Sequence, residues 1–428
     1  MKNIILKAPT HIELTITERC NHKCRHCYNE WRNKYTDNSG LSTNQREYLL
    51  SEFVKNQITY VTLTGGEPLM DIDNMFWFID RLKKENIGVG LNTNLSLMTE
   101  DIAKQLVTEF KWKNTILTSL PGFTPQQCDE VTQVKGSFYN IERGIDICTE
   151  NGIPVGVNVV ITKDNINMLP QIYDFLKCHD IAVLALTRVV PTVYNALDPQ
   201  YMLDQTDINR IVDCLKIVKK EFGIRVTSLC SIPFCLIHNT DNLNFLSTKC
   251  AAGIIGCCIN TITGNVTPCA HNERSYGNIY ESSLSKIWEA MYEWRSGKYM
   301  SAECQQCSML PACGGDCRLN TIRVKEKAYK LDGTCKIKFN YHEQENFFNQ
   351  TSRYCFNQKT ILREEKFGAV VSLGVNEFYV THPVYKLLCI LQSYSNFGWN
   401  EIKRFCVVNQ PIIKLINQLI SADIIYKL

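Results

Sequence analysis

Short apolar segments alternate with helical segments through the first half of this 428-residue chain, and this alternation constrains the fold more than any other feature. Strands that are apolar along their whole length are typical of a parallel sheet covered by helices. Regular β–α alternation therefore predicts an α/β domain. The predicted strands are residues 12–17, 60–64, 89–92, 115–120, 155–161 and 182–187.

The segments between these strands have the spacing of apolar residues that is typical of helices. Six β–α units are too few for a complete eight-stranded barrel, so a partial barrel and an open doubly wound sheet both fit. In either fold, ligands bind at the carboxyl ends of the strands, and the residues that follow each strand are candidates for a functional site. The predicted helices are residues 44–54, 74–84, 100–110, 140–150 and 167–176.

The 21 cysteines are unusual in a composition that is otherwise ordinary for a globular protein. No apolar run approaches the ~20 residues of a membrane span, and residues 1–7 lack the apolar stretch of a signal peptide, so we expect a cytoplasmic protein. In a reducing compartment, clustered cysteines indicate metal or redox chemistry, and they are typical of an anaerobic setting. A net charge of +3 argues against a nucleic-acid binder.

Three cysteines, Cys20, Cys24 and Cys27, follow the first predicted strand with the spacing C-x3-C-x2-C. Each iron of a four-iron cluster takes one protein ligand, so three thiolates leave one iron open to a small molecule. A zinc site with three protein ligands is the alternative. The spacing alone leaves both possibilities open.

Polar and flexible residues also follow the next three predicted strands. The second strand ends in the turn Gly65-Gly66-Glu67-Pro68, whose glycines allow close approach of the backbone and whose carboxylate could accept from an ammonium group. Asn94 follows the third strand and Ser119 lies at the end of the fourth, and their side chains suit hydroxyl and carboxylate groups. Each of these could equally be turn chemistry.

The cysteine trio, the aromatic residue after it and the Gly-Gly-Glu-Pro turn together resemble the radical S-adenosylmethionine (SAM) enzymes over about residues 10–190. In that family, three cysteines hold a [4Fe–4S] cluster whose open iron chelates the amino and carboxylate groups of SAM. The resemblance implies that Cys20, Cys24 and Cys27 are the cluster ligands. The implied SAM contacts are Tyr28 beside the adenine, Gly65, Gly66, Glu67 and Pro68 at the methionine amino group, and Asn94 and Ser119 at the ribose or carboxylate.

A second cysteine array begins at Cys250 and has the spacing C-x13-G-x4-C, a gap, C-x2-C-x5-C-x3-C, a gap, and a final C. Two zinc ribbons could use such cysteines. The array resembles the SPASM extension of radical SAM enzymes, which implies two auxiliary [4Fe–4S] clusters and three clusters in all. The implied ligands are Cys250, Cys269 and Cys317 with Cys257 or Cys258 for one auxiliary cluster, and Cys304, Cys307, Cys313 and Cys335 for the other.

The last part of the chain, residues 351–428, predicts a small winged-helix domain in which strands are followed by three helices. Its third helix carries only Lys414 as a basic residue, which is poor for reading a DNA groove. The segment resembles the PqqD-like leader-recognition domains of ribosomally made peptide pathways, and this implies that a precursor's leader adds a strand to its sheet. The predicted strands are 366–372 and 377–381. One predicted helix begins after Thr381, and two more lie at 399–405 and 411–420.

The expected architecture is a radical SAM partial (β/α)6 barrel at residues 1–225, a SPASM domain at 226–345 and a winged-helix domain at 351–428. The resemblance implies a peptide maturase that cleaves SAM reductively and uses the 5′-deoxyadenosyl radical to form a thioether, carbon–carbon or ether cross-link. The implied partners are a precursor peptide, with its leader on the C-terminal domain, and a flavodoxin or ferredoxin-type electron donor. No nucleic acid and no membrane are expected as partners.

Three other functions fit parts of the sequence. A sulfatase-maturing enzyme that makes formylglycine shares the SPASM layout but needs no leader-binding domain. A peptide epimerase needs a hydrogen donor, for which Cys230 or Cys235 is a candidate. A non-enzymatic metal-binding scaffold would use the last domain to bind DNA. The sequence assigns no general base to any of the three.

Overall fold

The structure is a computed structural model that describes residues 5–29, 41–108, 110, 115–190, 202–238, 243, 245–246, 249–323, 348–406 and 410–428. Its largest sheet has nine strands in the order β7-β6-β5-β4-β3-β2-β1-β8-β9. The first seven strands are β1 (His11–Thr15), β2 (Tyr60–Thr64), β3 (Gly88–Asn92), β4 (Ile116–Ser119), β5 (Val155–Ile161), β6 (Val183–Arg188) and β7 (Arg225–Thr227).

Strands β1 to β7 neighbour one another in chain order, and every pair is parallel. A doubly wound sheet reverses its strand order partway, and this sheet does not. Because β–α–β crossovers are right-handed, an unreversed order puts all connecting helices on one face and leaves the other face as the inside of an open barrel. The predicted partial barrel is therefore confirmed, with β7 as an additional parallel strand.

The main hydrophobic core lies between this sheet and its helices. In β1, Ile12 and Leu14 are fully buried in that core, while His11 faces the barrel interior, where its Nε2 lies 2.9 Å from Thr62 Oγ1. Alternate strand residues thus separate a helix-covered face from an interior face. The helices are α1 (Thr43–Lys55), α2 (Ile72–Lys84), α3 (Glu100–Leu106), α4 (Pro125–Thr132), α5 (Ser137–Glu150), α6 (Gln171–Cys178) and α7 (Gln205–Phe222).

Two strands that the sequence does not predict extend the barrel sheet beyond β1. Strand β8 (Gly256–Asn260) pairs in parallel with β1, and β9 (Val266–Thr267) pairs antiparallel with β8. The sequence of β8 is Gly-Cys-Cys-Ile-Asn, which has neither alternation nor β-branched enrichment. Cys257 and Cys258, one of which the resemblance implies as a cluster ligand, therefore lie on a strand of the barrel wall.

Five short helices follow β9 and complete the cysteine-rich region. Its buried tryptophans anchor it to the barrel, since Trp288 Nε1 donates to the Leu6 carbonyl at 2.9 Å. Within the described parts of the chain, no helix combines the length and apolar character that crossing a membrane requires. The helices are α8 (Leu284–Ala290), α9 (Tyr292–Arg295), α10 (Ala302–Gln306), α11 (Leu310–Cys313) and α12 (Arg318–Arg323).

Residues 348–406 and 410–428, here called the C-terminal module, form a second hydrophobic core of their own. The predicted order of strands followed by three helices is present. Strands β11, β12 and β13 form an antiparallel sheet, and β10 pairs with β14. The elements are β10 (Tyr354–Phe356), β11 (Ile361–Glu365), β12 (Gly368–Leu373), β13 (Asn376–Thr381), α13 (His382–Ser393), α14 (Trp399–Phe405), α15 (Gln410–Ser421) and β14 (Ile425–Lys427).

A buried ion pair docks the C-terminal module against the start of β1. Arg363 and Glu365 are fully buried and lie 2.7 Å apart. Arg363 also donates to the carbonyls of Pro9 at 2.8 Å and Ala8 at 2.9 Å, and Glu365 accepts from the Lys7 amide at 2.9 Å. The module therefore rests on backbone atoms that immediately precede β1.

The same surface extends to the starts of β2 and β3. Glu377 accepts from Thr59 Oγ1 at 2.8 Å and from Thr10 Oγ1 at 3.0 Å. Gly88, the first residue of β3, is so close to Gly374 that a Cβ atom on Gly88 would lie 3.0 Å from the Gly374 Cα. The C-terminal module thus covers the amino ends of three neighbouring barrel strands, at the opposite end from the predicted functional loops.

Candidate active site

The loop of residues 20–28, here called the cysteine loop, follows β1 at the carboxyl end of the sheet. Cys20, Cys24 and Cys27 are all half-buried. The backbone amide of His22 donates to Cys20 Sγ, and that of Asn29 donates to Cys27 Sγ, each at 3.4 Å. Hydrogen bonds of this kind favour the ionised thiolate, which is the form that binds metal.

The carboxyl end of α4 holds the cysteine loop in place. The amides of Lys23 and Arg25 donate to the carbonyls of Thr132 and Val131 at 2.8 and 2.9 Å. These carbonyls belong to the last turn of α4, where the helix itself has no N–H group left to pair with them. The loop therefore takes its shape from the barrel and does not depend on the thiols alone.

The Gly65-Gly66-Glu67-Pro68 turn packs directly on the segment that leads into the cysteine loop. A Cβ atom on Gly65 or Gly66 would overlap the carbonyl oxygen of Thr17 or Arg19, respectively. The amides of Gly66 and Glu67 donate to the same two carbonyls, each at 2.7 Å. Only glycine fits this approach, so the turn and the cysteine loop form one rigid edge of the barrel.

The carboxylate of Glu67 is buried and is engaged by the chain itself. It accepts from the amides of Leu69 at 2.9 Å and Asn94 at 2.7 Å, and from the hydroxyl of Thr93. Burial raises the pKa of Glu67, and these three hydrogen bonds lower it. Glu67 thus joins the end of β2 to the end of β3.

Asn94 and Ser119 lie at the same edge of the sheet. Asn94 Nδ2 donates to Asn21 Oδ1 in the cysteine loop at 2.9 Å, and Asn94 Oδ1 accepts from the Ser96 amide at 2.9 Å. Ser119 ends β4 with its side chain exposed. The structure therefore brings Asn94 against the cysteine loop and leaves Ser119 accessible beside it.

Tyr28 points from the cysteine loop into the barrel and connects it to the cysteine-rich region. Its ring centroid lies 4.6 Å from that of His271, and its hydroxyl hydrogen-bonds with the side chain of Thr64. Burial, together with the nearby Glu13, Cys27 and Cys258, raises the pKa of Tyr28 well above its usual range. The residue therefore stays neutral and available as a hydrogen-bond donor.

Glu13 is an acidic residue inside the barrel that the sequence does not single out. It lies opposite Cys258 in the register of β1 and β8, and the Ala270 amide donates to its carboxylate. Burial raises the pKa of Glu13, and the Ala270 amide lowers it. The signal that could have identified it is a charged residue at an interior position of an otherwise apolar strand.

Two buried acceptor oxygens beside the cysteine loop, Glu18 Oε2 and Asn29 Oδ1, have no hydrogen-bond partner among the residues that the structure describes. The other atoms of these groups are satisfied. Glu18 Oε1 accepts from Asn260 at 2.7 Å, and Asn29 Nδ2 donates to the Gly65 carbonyl at 2.7 Å. Because an unpaired buried acceptor is costly, both sites suit a bound group that carries N–H donors.

Cys250, Cys269 and Cys317, here called the first auxiliary group, come together from three distant segments. The Gly253 amide donates to the Pro268 carbonyl at 3.2 Å, which joins the segments of Cys250 and Cys269. Gly314 packs so closely on Lys249 that a Cβ atom on Gly314 would lie 3.0 Å from the Lys249 Cα. That contact brings the segment of Cys317 to the segment of Cys250.

Cys304, Cys307 and Cys313, here called the second auxiliary group, lie on and between α10 and α11. The Cys307 amide donates to the Cys304 carbonyl at 3.2 Å, which forms a tight turn between the first two thiols. Burial raises the pKa of Cys313, while amides of Phe234 and Gly315 lower it by donating to the thiol. Cys335, the fourth predicted ligand, lies outside the described residues.

Cys257 and Cys258 point to opposite faces of β8. Cys257 pairs with Ile12 and belongs to the main hydrophobic core. Cys258 faces the interior, where it hydrogen-bonds with the side chains of Thr15 and Thr267. Burial raises the pKa of both thiols. The structure therefore surrounds each of these cysteines with barrel residues.

Among the described residues, no three His, Cys, Asp or Glu side chains converge on a single metal ion. A mononuclear zinc site needs such convergence. Cluster ligands do not, because each thiolate binds a different iron and the thiols surround a larger group.

Two family models match this chain, one for each of these regions. Residues 14–176 match the radical SAM superfamily, and residues 250–308 match SPASM, described as an iron–sulfur cluster-binding domain. The fold and the two cysteine regions thus define an iron–sulfur enzyme that uses SAM. More specifically, the chain is a radical SAM enzyme with a SPASM extension. The non-enzymatic scaffold considered from the sequence is therefore wrong.

Known proteins of two kinds are similar to this chain in sequence. The AdoMet-dependent heme synthase of Oleidesulfovibrio alaskensis is 26% identical over 325 residues, which cover 71% of this chain and 81% of that protein. The mycofactocin maturase MftC of Mycolicibacterium smegmatis is 28% identical over 328 residues, which cover 73% of this chain and 79% of MftC.

A solved structure with a similar fold is SuiB of Streptococcus suis bound to the precursor peptide SuiA. The TM-score is 0.60 and the sequence identity is 21%, over 78% of this chain and 77% of SuiB. At this identity the likeness establishes the fold. It agrees with the partial barrel described above.

The residues of the cysteine loop fit the cluster and SAM of this enzyme class. Three half-buried thiols receive or lie beside backbone amides, and the glycine turn packs next to them with only Gly66 partly accessible. The two unpartnered oxygens, Glu18 Oε2 and Asn29 Oδ1, are acceptors of the kind that an ammonium group requires. The donor set of the loop thus matches a cluster with one open iron.

Proposed function

We propose that this enzyme modifies a ribosomally made precursor peptide and forms a thioether, carbon–carbon or ether cross-link in it. The observation that carries the proposal is the C-terminal module, which has its own hydrophobic core and is docked on the barrel by a buried ion pair. A small sheet fixed to a radical SAM barrel suits recognition of a peptide substrate. SuiB, whose fold is similar, is bound to a precursor peptide, and MftC is named a maturase.

In this proposal, Cys20, Cys24 and Cys27 hold the catalytic [4Fe–4S] cluster. The SPASM cysteines hold two more, for a total of three. When bound, the reduced cluster supplies the electron that cleaves SAM to methionine and the 5′-deoxyadenosyl radical. The protein's own residues position the cofactor and exclude water. The SPASM cysteines would hold clusters that could take up the surplus electron of bond formation, and a flavodoxin or ferredoxin-type partner would be the electron donor.

The proposed SAM contacts follow from the edge formed by the cysteine loop and the glycine turn. The backbone of Gly65, Gly66 and Pro68 meets the methionine amino group, while Glu67 holds the turn in place through its three internal hydrogen bonds. Asn94 and the exposed Ser119 face the ribose or carboxylate, and Tyr28 flanks the adenine.

We further propose that the C-terminal module is PqqD-like and binds the leader by strand addition. Strands β11 and β13 are the outer strands of its sheet, so each has one edge without a strand partner among the described residues. An open edge of this kind can pair with an extended peptide. The net charge of residues 351–428 is +4, from nine basic and five acidic side chains, and it suits an acidic leader. The proposed domain boundaries remain 1–225, 226–345 and 351–428.

A second candidate function is porphyrin chemistry, and the sequence match to an AdoMet-dependent heme synthase favours it. The two candidates differ in what they require of the C-terminal module. A porphyrin enzyme has no need of an open sheet edge at the far end of the barrel, whereas a peptide maturase uses it to bind the leader. Substrate tests therefore separate the two candidates directly.

The proposal is tested with the full-length chain, reconstituted anaerobically with iron and sulfide. Dithionite and SAM should yield 5′-deoxyadenosine. A precursor peptide, sought in the open reading frames beside the gene, should change mass in a SAM-dependent reaction, and tandem mass spectrometry locates the new bond. The same peptide without its leader should react about 100-fold less efficiently, because tethering raises the local concentration of the core segment. Leader added in trans leaves this deficit largely in place.

Iron-coproporphyrin is the comparison substrate in the same assay. Conversion of the porphyrin with no reaction of the peptide would replace the maturase proposal with the heme-synthase alternative. Equal rates for the peptide with and without its leader would remove the leader-recognition role of the C-terminal module. Absence of 5′-deoxyadenosine from protein with about 12 irons per chain would contradict radical SAM chemistry for this cluster.

A further inference from the structure

A fourth cysteine, Cys230, lies with the first auxiliary group, although it is outside the SPASM spacing. It follows β7 in a segment that the end of β6 holds in place. The Leu229 amide donates to Thr187 Oγ1 at 3.2 Å, and Arg188 Nε donates to the Ser231 carbonyl at 3.0 Å. Both neighbours of Cys230 in the chain are thus bonded to β6, and the position of Cys230 is well defined.

The same arginine holds the segment of Cys317. Arg188 is buried and forms an ion pair with Asp316, which immediately precedes Cys317. Asp316 is itself fixed, since its Oδ1 accepts from the Cys317 amide and its Oδ2 from Asn320, each at 2.7 Å. Arg188 therefore links the two segments, because it bonds to Ser231, which follows Cys230, and to Asp316, which precedes Cys317.

Charge effects among these thiols agree with this geometry. Cys230 lies close enough to Arg188 and to Cys250 to interact with both electrostatically. Cys317 in turn interacts with Cys250 and with Cys230. Three ionisable thiols that interact in this way lie close to one another.

The two cysteines considered from the sequence as the fourth ligand have different surroundings. Cys257 is in the hydrophobic core beside β1, where Arg295 is its nearest charge. Cys258 hydrogen-bonds with Thr15 and Thr267, and its leading charged neighbour is Glu13. Neither has a feature that corresponds to the arginine link between Cys230 and Cys317.

We propose that Cys230, and neither Cys257 nor Cys258, is the fourth thiolate ligand of the cluster held by Cys250, Cys269 and Cys317. Each iron of that cluster then has one cysteine ligand, and the cluster has no open iron for substrate. Its role is electron transfer. The proposal also removes Cys230 as a hydrogen donor, because a thiolate bound to iron has no S–H hydrogen to give. The inference rests on the auxiliary cluster proposed above for the first auxiliary group.

The test compares Cys230→Ala with Cys257→Ala and Cys258→Ala in the full-length, anaerobically reconstituted protein. Iron and acid-labile sulfide are counted, and electron paramagnetic resonance (EPR) spectra are recorded after mild oxidation and after reduction with and without SAM. We expect Cys230→Ala to lose about one to four irons per chain and to show a three-iron cluster signal after oxidation. The other two variants should keep the wild-type iron content and spectra.

Three further variants make the result decisive. Cys230→Ser keeps the size of the side chain and should retain more iron than Cys230→Ala, because its oxygen can replace the thiolate as a weaker ligand. Cys235→Ala controls for loss of a nearby thiol. Cys250→Ala reports on the cluster itself. Loss of iron in Cys250→Ala together with wild-type spectra in Cys230→Ala would overturn this inference alone, whereas wild-type spectra in both would overturn the auxiliary cluster.

Discussion

At the scale of single residues, the most informative side chain is Glu13, because it is a carboxyl group inside the barrel and close to both cysteine regions. Its neighbours include Tyr28 on the cysteine loop and Cys258 on β8. Burial raises its pKa, so Glu13 takes up a proton more readily than an exposed carboxyl. A group with these properties can accept a proton from a substrate in the barrel interior.

We expect Glu13→Gln to lower the rate of peptide modification by about 10- to 100-fold, as is typical when an acid–base group is removed. The yield of 5′-deoxyadenosine without peptide should stay within about twofold of wild type, because Glu13 lies on the barrel wall opposite Cys258 and is not among the proposed cluster ligands or SAM contacts. Product formation is followed by mass spectrometry, and 5′-deoxyadenosine by chromatography.

The matched control is Glu47→Gln, which removes an exposed carboxylate that pairs with Arg81 on the helical side of the barrel. It should leave both rates unchanged. If Glu13→Gln modifies peptide at the wild-type rate, Glu13 has no part in the reaction. If it abolishes SAM cleavage as well, its role is in the structure of the site.

Residue types at strand ends predicted much of the edge of the site, since the cysteine loop, the glycine turn and Asn94 do meet there. Their individual roles were less predictable. The carboxylate of Glu67 is engaged by Leu69, Thr93 and Asn94, and this pairing depends on how β2 and β3 are placed side by side. Local sequence reports which groups are present, but tertiary contacts decide which of their atoms remain available.

At the scale of secondary-structure elements, β11 has a special role because it carries the docking ion pair. Arg363 and Glu365 are both fully buried, and Arg363 reaches the carbonyls of Ala8 and Pro9. Removal of one member of a buried pair leaves the other charge unpaired, which is far more costly than loss of an exposed pair. The orientation of the C-terminal module therefore depends on this strand.

Arg363→Met should lower the free energy of unfolding by about 3–5 kcal/mol, because it leaves the Glu365 carboxylate buried without its positively charged partner. Hydrogen exchange measured by mass spectrometry should show faster exchange in β11, β12 and the segment before β1. Urea unfolding gives the free energy. Exchange in α13 and α15 should change less, since these helices pack in the separate core of the module.

Arg353→Met is the control, because Arg353 forms an exposed ion pair with Glu401 within the same module. It should cost about 0–1 kcal/mol. An equal effect of the two substitutions would contradict the assignment of the docking interface to Arg363. Wild-type exchange in β11 of Arg363→Met would do the same.

The elements that the sequence predicted best include two apolar strands of the barrel and one short helix of the C-terminal module. Strands β2 and β5 have the predicted bounds, and the predicted helix at 399–405 is present as α14. Strand β8 was not predictable, because its local sequence has no strand periodicity. The strand is stabilised by pairing with β1, whose residues lie about 245 positions away in sequence. Separation in sequence likewise conceals the proximity of Cys230 to Cys317, which are 87 positions apart.

At the scale of the whole molecule, the candidate active site and the C-terminal module occupy opposite ends of the barrel. The cysteine loop follows the carboxyl end of β1, and the docking surface precedes its amino end. A strand rises about 3.3 Å per residue, so the five residues of β1 separate the two by roughly 17 Å along the wall. A peptide held at one end must run along the barrel to react at the other.

This separation predicts a minimum spacing within the precursor. A spacer of fewer than about six extended residues between the leader element and the modified residue cannot cover the distance. Shortened precursors should still bind, as measured by fluorescence anisotropy, but modification of the first site should fall by more than about 10-fold. Longer Gly-Ser spacers should reduce the rate only gradually, since effective concentration falls slowly with length.

Insertion series and deletion series of the same precursor serve as mutual controls. Full modification of a precursor with a two- or three-residue spacer would show that the leader binds elsewhere, for example beside the barrel opening. Loss of binding together with loss of modification would show only that the deletion damaged the leader. The informative result is retained binding with lost modification.

The docking interface also has a consequence for evolution and engineering, because Arg363 donates hydrogen bonds to the backbone carbonyls of Ala8 and Pro9 and not to their side chains. Almost any residue supplies a carbonyl, so the barrel side of the interface can change in sequence without losing its partner. A recognition module could then be transferred between barrels. It needs its own arginine and glutamate, and a barrel in which the backbone before the first strand has the same path. Exchange of modules between related enzymes, in nature or by design, would redirect one radical-generating barrel to a new family of precursors.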